Sequence, residues 1–233
     1  AVKLYAEENN LPVLQPTNLK SPEFIKELKS FKADLQVVVA FRMLPVVVWD
    51  MPPKGTINLH ASLLPDYRGA APINWAIING EDETGVSTFF LEHEIDTGQL
   101  ILQDKCPIHP DDNAGDLHDR LMELGAEVLY KTVEQIENSS TTLSRQDFKG
   151  NEPKAPKIFK EDCQINWSNK GKRIYDFIRG LSPYPGAFTI LDGKICKIFQ
   201  ARFIIKSHLE QPAKVNTEDG RLQVFVPDGI IEI

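Results

Sequence analysis

The 233-residue sequence predicts an α/β fold, with a doubly wound, mainly parallel sheet followed by a small β-barrel, and three observations carry the prediction. Helix-patterned stretches alternate with β-branched runs through the first half. From Asn138 to Pro156 the composition turns to Ser, Thr, Asn, Lys and Pro, as in a linker. Short apolar runs punctuated by Gly and Pro then fill the remainder, as in a β-rich module. With 42% apolar residues there is enough material for two cores. The expected division is therefore a first domain over 1–138, a linker over 139–156 and a second domain over 157–233.

The first residues, AVKLYAEENNLPVL, read as the end of a helix running into a short apolar segment, without an initiator Met, so the chain is expected to begin mid-fold. Ser21-Pro22-Glu23 supplies a hydroxyl cap, a first-turn proline and a first-turn acid, and Phe24, Ile25, Leu28 and Phe31 continue a helical apolar face. Asp34 to Ala40 is a β-branched run with the composition of a strand buried on both faces. Thr56 to His60 is the next strand, and Pro72 to Asn79 a helix closed by Gly80.

The rhythm then changes. Gly85–Leu91 and Gln99–Leu102 are strand-like and separated by only seven residues, which suits a hairpin and is too short for a helical crossover. Asn113 can cap a long helix from Ala114 to about Glu137, with Leu117, Leu121, Leu124, Val128, Leu129, Val133 and Ile136 inward. In the second half, Ile174, Phe177, Ile178 and Leu181 mark one short helix. Runs 188–191, 195–199, 201–205 and 222–226 are expected strands.

Charge and cysteine content narrow the function classes. Residues 1–148 hold 12 basic and 23 acidic side chains, whereas residues 149–233 hold 14 and 10, so the second module suits a polyanionic partner. No uncharged apolar run approaches the length of a membrane span, which predicts a soluble protein. Cys106, Cys163 and Cys196 are odd in number and widely spaced, which fits buried structural thiols in reducing surroundings.

The densest polar segment is Asn58-Leu-His-Ala-Ser-Leu-Leu-Pro-Asp-Tyr-Arg-Gly-Ala-Ala-Pro72. On an extended segment Asn58 and His60 share a face. Left unpaired in a buried sheet, each would cost about 1–3 kcal/mol, so they need partners or a place at a strand's carboxyl end facing a crevice. Asp96, in the predicted hairpin loop, can supply a carboxylate to an imidazole. The residues alone leave two competitors open. Ser62 as a nucleophile lacks a Gly-x-Ser-x-Gly turn, and a metal held by His60, His93 and Asp96 lacks a recognised ligand spacing.

Asn58-x-His60-x-Ser62-Leu-Leu-Pro65, Arg68-Gly69, Pro72-Ile73, Glu81-x-x-Thr84-Gly85 and Asp96-Thr97-Gly98 together resemble the folate-dependent formyltransferase family. Ala155–Asp162, Ile165-Asn-Trp167 and Arg179–Ala187 are similar to the C-terminal domain of its tRNA-acting members. The resemblance implies a Rossmann-like catalytic domain whose N-terminal part precedes residue 1, then an OB-like barrel that binds tRNA. It implies formyl transfer from 10-formyltetrahydrofolate, without a metal, to the methionine amino group on initiator tRNA. Alternatives at the same site are an amino sugar nucleotide as acceptor, or hydrolysis of the formyl-folate.

Asn58, His60 and Asp96 match the family's catalytic positions. The folate is implied to lie in a cleft made by Phe41, Arg42, Met43 and Leu44 and by the hairpin loop with His93, Glu94 and Ile95, beside Ser62, Leu63, Leu64 and Pro65. The further expectations are a monomer, a cytoplasmic location and no membrane partner.

Overall fold

The computed structural model describes residues 2–39, 43–94, 96–218 and 220–233. Its contacts divide the chain into two units, Ala1–Ile57 and Asn58–Ile233. In the first unit, helix α1 (Val2–Glu8) buries none of its side chains. Ser21 caps helix α2 (Pro22–Ser30), its hydroxyl accepting the Phe24 amide at 3.2 Å, as the Ser-Pro-Glu signature predicts.

Strand β1 (Gln36–Val39) departs from expectation, because Val37 and Val39 are 43% and 52% exposed. A β-branched run specifies an extended backbone, but whether both faces are covered depends on the neighbouring layers. After the short helix α3 (Val46–Trp49) comes strand β2 (Thr56–His60), which crosses into the second unit. The Thr56 hydroxyl donates to the Trp49 carbonyl at 2.5 Å, and the Gln36 amide donates to Gly55, which seats the start of β2 beside β1.

The second unit continues with strand β3 (Arg68–Gly69), helix α4 (Pro72–Ile78), strands β4 (Glu83–Phe90) and β5 (Leu100–Pro107), and helix α5 (Ala114–Glu137). Its sheet runs β2–β4–β5, and β4 and β5 pair antiparallel, so the short spacing does encode a hairpin. A capping box of Asn113 and Asp116 opens α5. Leu117, Leu121, Val128 and Ile136 are buried as the helical period requires, with Thr132 between them bonded to Thr88 across the layer at 2.8 Å. The glycines of α5 serve close approach. A Cβ at Gly125 would stand 2.9 Å from Leu59, and one at Gly115 would stand 2.9 Å from Pro183.

The remaining elements are strand β6 (Lys154–Ala155), helix α6 (Gly171–Gly180) and strands β7 (Ala187–Leu191), β8 (Lys194–Ile198), β9 (Arg202–Ile205), β10 (Val215–Glu218), β11 (Arg221–Val226) and β12 (Gly229–Glu232). They form an antiparallel pair, β7–β8, and an antiparallel sheet ordered β10–β11–β12–β9. Three of these strands, β6, β10 and β12, are not predicted by the sequence. β10 is exposed along its whole length and so carries no apolar alternation, and β12 is only four residues long. Ile174, Ile178 and Leu181 meet Val226 and Ile231 in one core.

Within the second unit, helix α6 is fastened to α4 and to the segment before α5. The Asn74 side chain donates to the Gly180 carbonyl at 2.7 Å, Arg179 donates to the Asp112 carbonyl at 2.9 Å, and the Tyr175 hydroxyl donates to the Pro110 carbonyl at 3.1 Å. The segment expected as a linker is also paired within the second unit. Ser144 pairs with Leu100, β6 pairs parallel with β3, and the Trp75 indole donates to the Pro156 carbonyl at 2.8 Å.

Beside this junction the Asp112 carboxylate accepts two hydrogen bonds from Arg120, at 2.8 and 2.9 Å, and one from the His109 amide. The Arg120 guanidinium holds the Asp112 carboxyl below the usual carboxylate range. Because the folded value is depressed, the pair's stabilisation is present above the unfolded value and disappears as pH falls through the folded one. In urea titrations the parent protein is expected to exceed Asp112→Asn in stability near pH 7, and the gap should narrow below about pH 4.

Candidate active site

β2 delivers Asn58 and His60 to the same face, two residues apart, in its carboxyl-terminal half. His60 is 7% exposed, and its Nε2 lies 2.9 Å from the Tyr67 carbonyl oxygen. A carbonyl can only accept, so Nε2 carries the hydrogen and donates it there. In the neutral ring Nδ1 is then bare. The Asp96 Oδ2 faces it at 4.0 Å, within ion-pair reach but too far for a direct hydrogen bond. The sequence offers Asp96 as the carboxylate partner of the imidazole, whereas the direct hydrogen bond to the ring is to the Tyr67 carbonyl.

Asp96 is held in turn. It sits in the left-handed region at φ 56°, its Oδ2 accepts the Gly69 amide at 3.2 Å, and its carbonyl accepts one hydrogen of the Gln146 side-chain amide at 2.8 Å. Gly69 is required where it stands. Its φ is 127°, and a Cβ there would lie 2.3 Å from the Ala155 carbonyl oxygen. Asn58 is half-buried, and among the described residues its side chain makes no hydrogen bond.

Tyr67 is fastened from three sides. Its amide donates to the Pro153 carbonyl at 2.6 Å, its hydroxyl donates to Glu81 at 2.5 Å, and that same oxygen accepts from Asn79 at 3.2 Å. Burial, reinforced by Glu81, raises the phenol well above its ordinary value and keeps the hydroxyl a donor. Tyr67 and Gln146 were not singled out from the sequence. Tyr67 acts through its main chain, and Gln146 lies in a stretch whose composition reads as a linker.

Ser62 has no exposed surface, and its hydroxyl donates to the Asp66 carbonyl at 2.6 Å, so it braces its own loop instead of offering a nucleophile. Leu64 packs with Phe89 and Leu100, and its amide and carbonyl bond Ser87 and Gln103. Leu63 lies against Gly85, and Pro65 is half-buried.

His93 and Glu94 are exposed in the hairpin loop, where the Thr97 hydroxyl donates to the Glu94 carbonyl at 3.1 Å. In the first unit, Met43 and Leu44 line a shallow groove with Thr17, Leu19, Lys20 and Pro45. Phe41, Arg42 and Ile95 lie outside the described residues. Among the described residues, no group of three His, Cys, Asp or Glu side chains could hold a metal ion.

The family description "Formyl transferase" matches residues 1–133, and "Formyl transferase, C-terminal domain" matches residues 157–233. The chain belongs to the formyltransferase family. The chain is 52% identical over 242 residues to a methionyl-tRNA formyltransferase of Bacteroides fragilis, an alignment covering all of this chain and 74% of the relative. It is 49% identical over 237 residues to one of Flavobacterium johnsoniae, covering all of this chain and 75% of that one.

Two solved structures share the fold. HypX of Aquifex aeolicus, in complex with tetrahydrofolic acid, superposes with a TM-score of 0.70 at 22% identity, over 91% of this chain and 37% of that one. An N-formyltransferase of Helicobacter canadensis, in complex with folinic acid and dTDP-3-aminofucose, gives 0.73 at 20% identity, over 100% and 81%. The Rossmann-like formyltransferase domain and the antiparallel C-terminal domain are thus the family's own. Among the described residues, no helix is long and apolar enough to cross a membrane.

Proposed function

We propose that this chain transfers a formyl group from 10-formyltetrahydrofolate to the amino group of methionine on initiator tRNA, using Asn58, His60 and Asp96. The observation that carries the reading is the His60–Asp96 pair at 4.0 Å, two strand positions from Asn58, in a chain about half identical to methionyl-tRNA formyltransferases. The amine is itself the nucleophile, so no covalent enzyme intermediate is needed. As it adds to the formyl carbon, oxyanion charge develops, and the Asn58 amide hydrogens are the donors for it.

The amine must then lose a proton as the folate nitrogen leaves and gains one. With Nε2 committed to Tyr67, Nδ1 of His60 is the ring atom that exchanges protons, and the charge of a proton taken up there faces the Asp96 carboxylate at 4.0 Å. The folate is expected to use the backbone of the loop bearing His93, Glu94 and Ile95, and, in the first unit, Phe41, Arg42, Met43 and Leu44. Ser62, Leu63, Leu64 and Pro65 form the loop beside the catalytic side chains. Residues 1–138 are taken as the catalytic domain and 157–233 as the tRNA-binding domain of a cytoplasmic monomer.

The deciding assay follows formate and formyl-methionyl-tRNA together, with and without charged initiator tRNA. Formyl-methionyl-tRNA should accumulate only when the tRNA is present. Equal formate release without it would point to hydrolysis, and turnover with an amino sugar nucleotide alone would move the acceptor. Phosphate contacts from the basic second module predict that filter-binding affinity for tRNA falls at least tenfold between about 50 and 200 mM salt. A flat salt response would remove that module from tRNA binding.

A further inference from the structure

We infer that Gln146 is a positioning residue for the catalytic pair, and that the segment it belongs to is a strap over the active site and not a passive linker. Gln146 is 8% exposed. Its Nε2 lies 2.8 Å from the Asp96 carbonyl oxygen and 2.9 Å from the Gly98 carbonyl oxygen. Both neighbours can only accept, so the amide is oriented unambiguously and both of its hydrogens are used.

The two carbonyls bracket the turn in which Asp96 stands at positive φ, a conformation that needs outside support in a residue with a side chain. Fixing that turn fixes where the Asp96 carboxylate stands relative to His60 Nδ1 and the Gly69 amide. The same segment reaches His60 from the other side. Pro153 accepts the amide of Tyr67, whose carbonyl takes the His60 Nε2 hydrogen. Phe148 lies under the Arg68 guanidinium at 4.2 Å, and Ala155 pairs with Gly69. One segment therefore sets both partners of the imidazole, and it leads directly into the C-terminal module.

This inference rests on the proposed roles of His60 and Asp96, and its test separates the two. Gln146→Leu removes both donors, and Gln146→Glu keeps nearly the same shape while directing carboxylate oxygens at two carbonyls. In each folded variant kcat is expected to fall about 10–100-fold, as for a displacement of about 1 Å, with KM for formyl-folate changed less than about twofold. Asp147→Ala, at the exposed neighbour, should match the parent.

A second measurement does not depend on turnover. In histidine-labelled protein the His60 ring nitrogen signals should move in both Gln146 variants, while those of His118 stay in place. Ring signals and kcat unchanged in a folded variant would overturn the inference. Moved ring signals in a protein that transfers no formyl group would leave the positioning intact and overturn the proposed reaction instead. Should Gln146→Leu fail to fold, Gln146→Glu carries the test.

Discussion

Asn58→Ala is expected to lower the turnover of formyl transfer about a hundredfold to a thousandfold, the usual loss for removing one oxyanion donor, while the thermal transition stays near that of the parent. The separation of the two effects follows from the surroundings of Asn58. It is half-buried in the middle of β2 and has no side-chain hydrogen bond among the described residues, so truncation leaves no buried partner unpaired. His60→Ala should lose activity on a similar scale. It also strands the Tyr67 carbonyl at a buried position, at a cost of about 1–3 kcal/mol in stability. Single-turnover rates beside a melting curve distinguish these outcomes, and near-normal turnover in folded Asn58→Ala would remove it from the mechanism.

The largest expected loss of stability is at a pair outside the proposed catalytic residues. Asp176 and Arg179 are 4% and 6% exposed and bonded at 2.8 Å, and the same Arg179 reaches the Asp112 carbonyl before α5. Asp176→Ala leaves a guanidinium buried beside a vacated site, and breaking such a pair from one side costs about 3–5 kcal/mol. For a domain of this size that is a drop of about 6–20 °C in the melting temperature. Asp176→Asn keeps the shape and one acceptor oxygen and should lose less. Lys172 also holds Asp176, at 2.6 Å to each oxygen, but its own exposure makes it the weaker partner. An Asp176→Ala melting curve matching the parent would show that Arg179 finds water or another acceptor.

Much of the architecture was legible because its signals are local. The Ser21 cap, the Asn113 cap with its 24-residue amphipathic helix, and the seven-residue hairpin spacing each encode an element without long-range help. The exposed face of β1, the unpatterned β10 and the short β12 were not legible, because burial and ladder pairing depend on elements distant in sequence.

The candidate site divides along the same line. Asn58 and His60 could be placed together from the sequence because strand periodicity puts them on one face, and the resemblance added Asp96. Tertiary structure alone decided which group orients His60, because a main-chain carbonyl leaves no mark on residue type. It alone recruited Gln146, because a polar stretch reads as a linker until its partners, 48 and 50 residues away, are known. A side chain's chemistry is written in the sequence, whereas the partner that orients it is set by packing between segments the sequence does not place together.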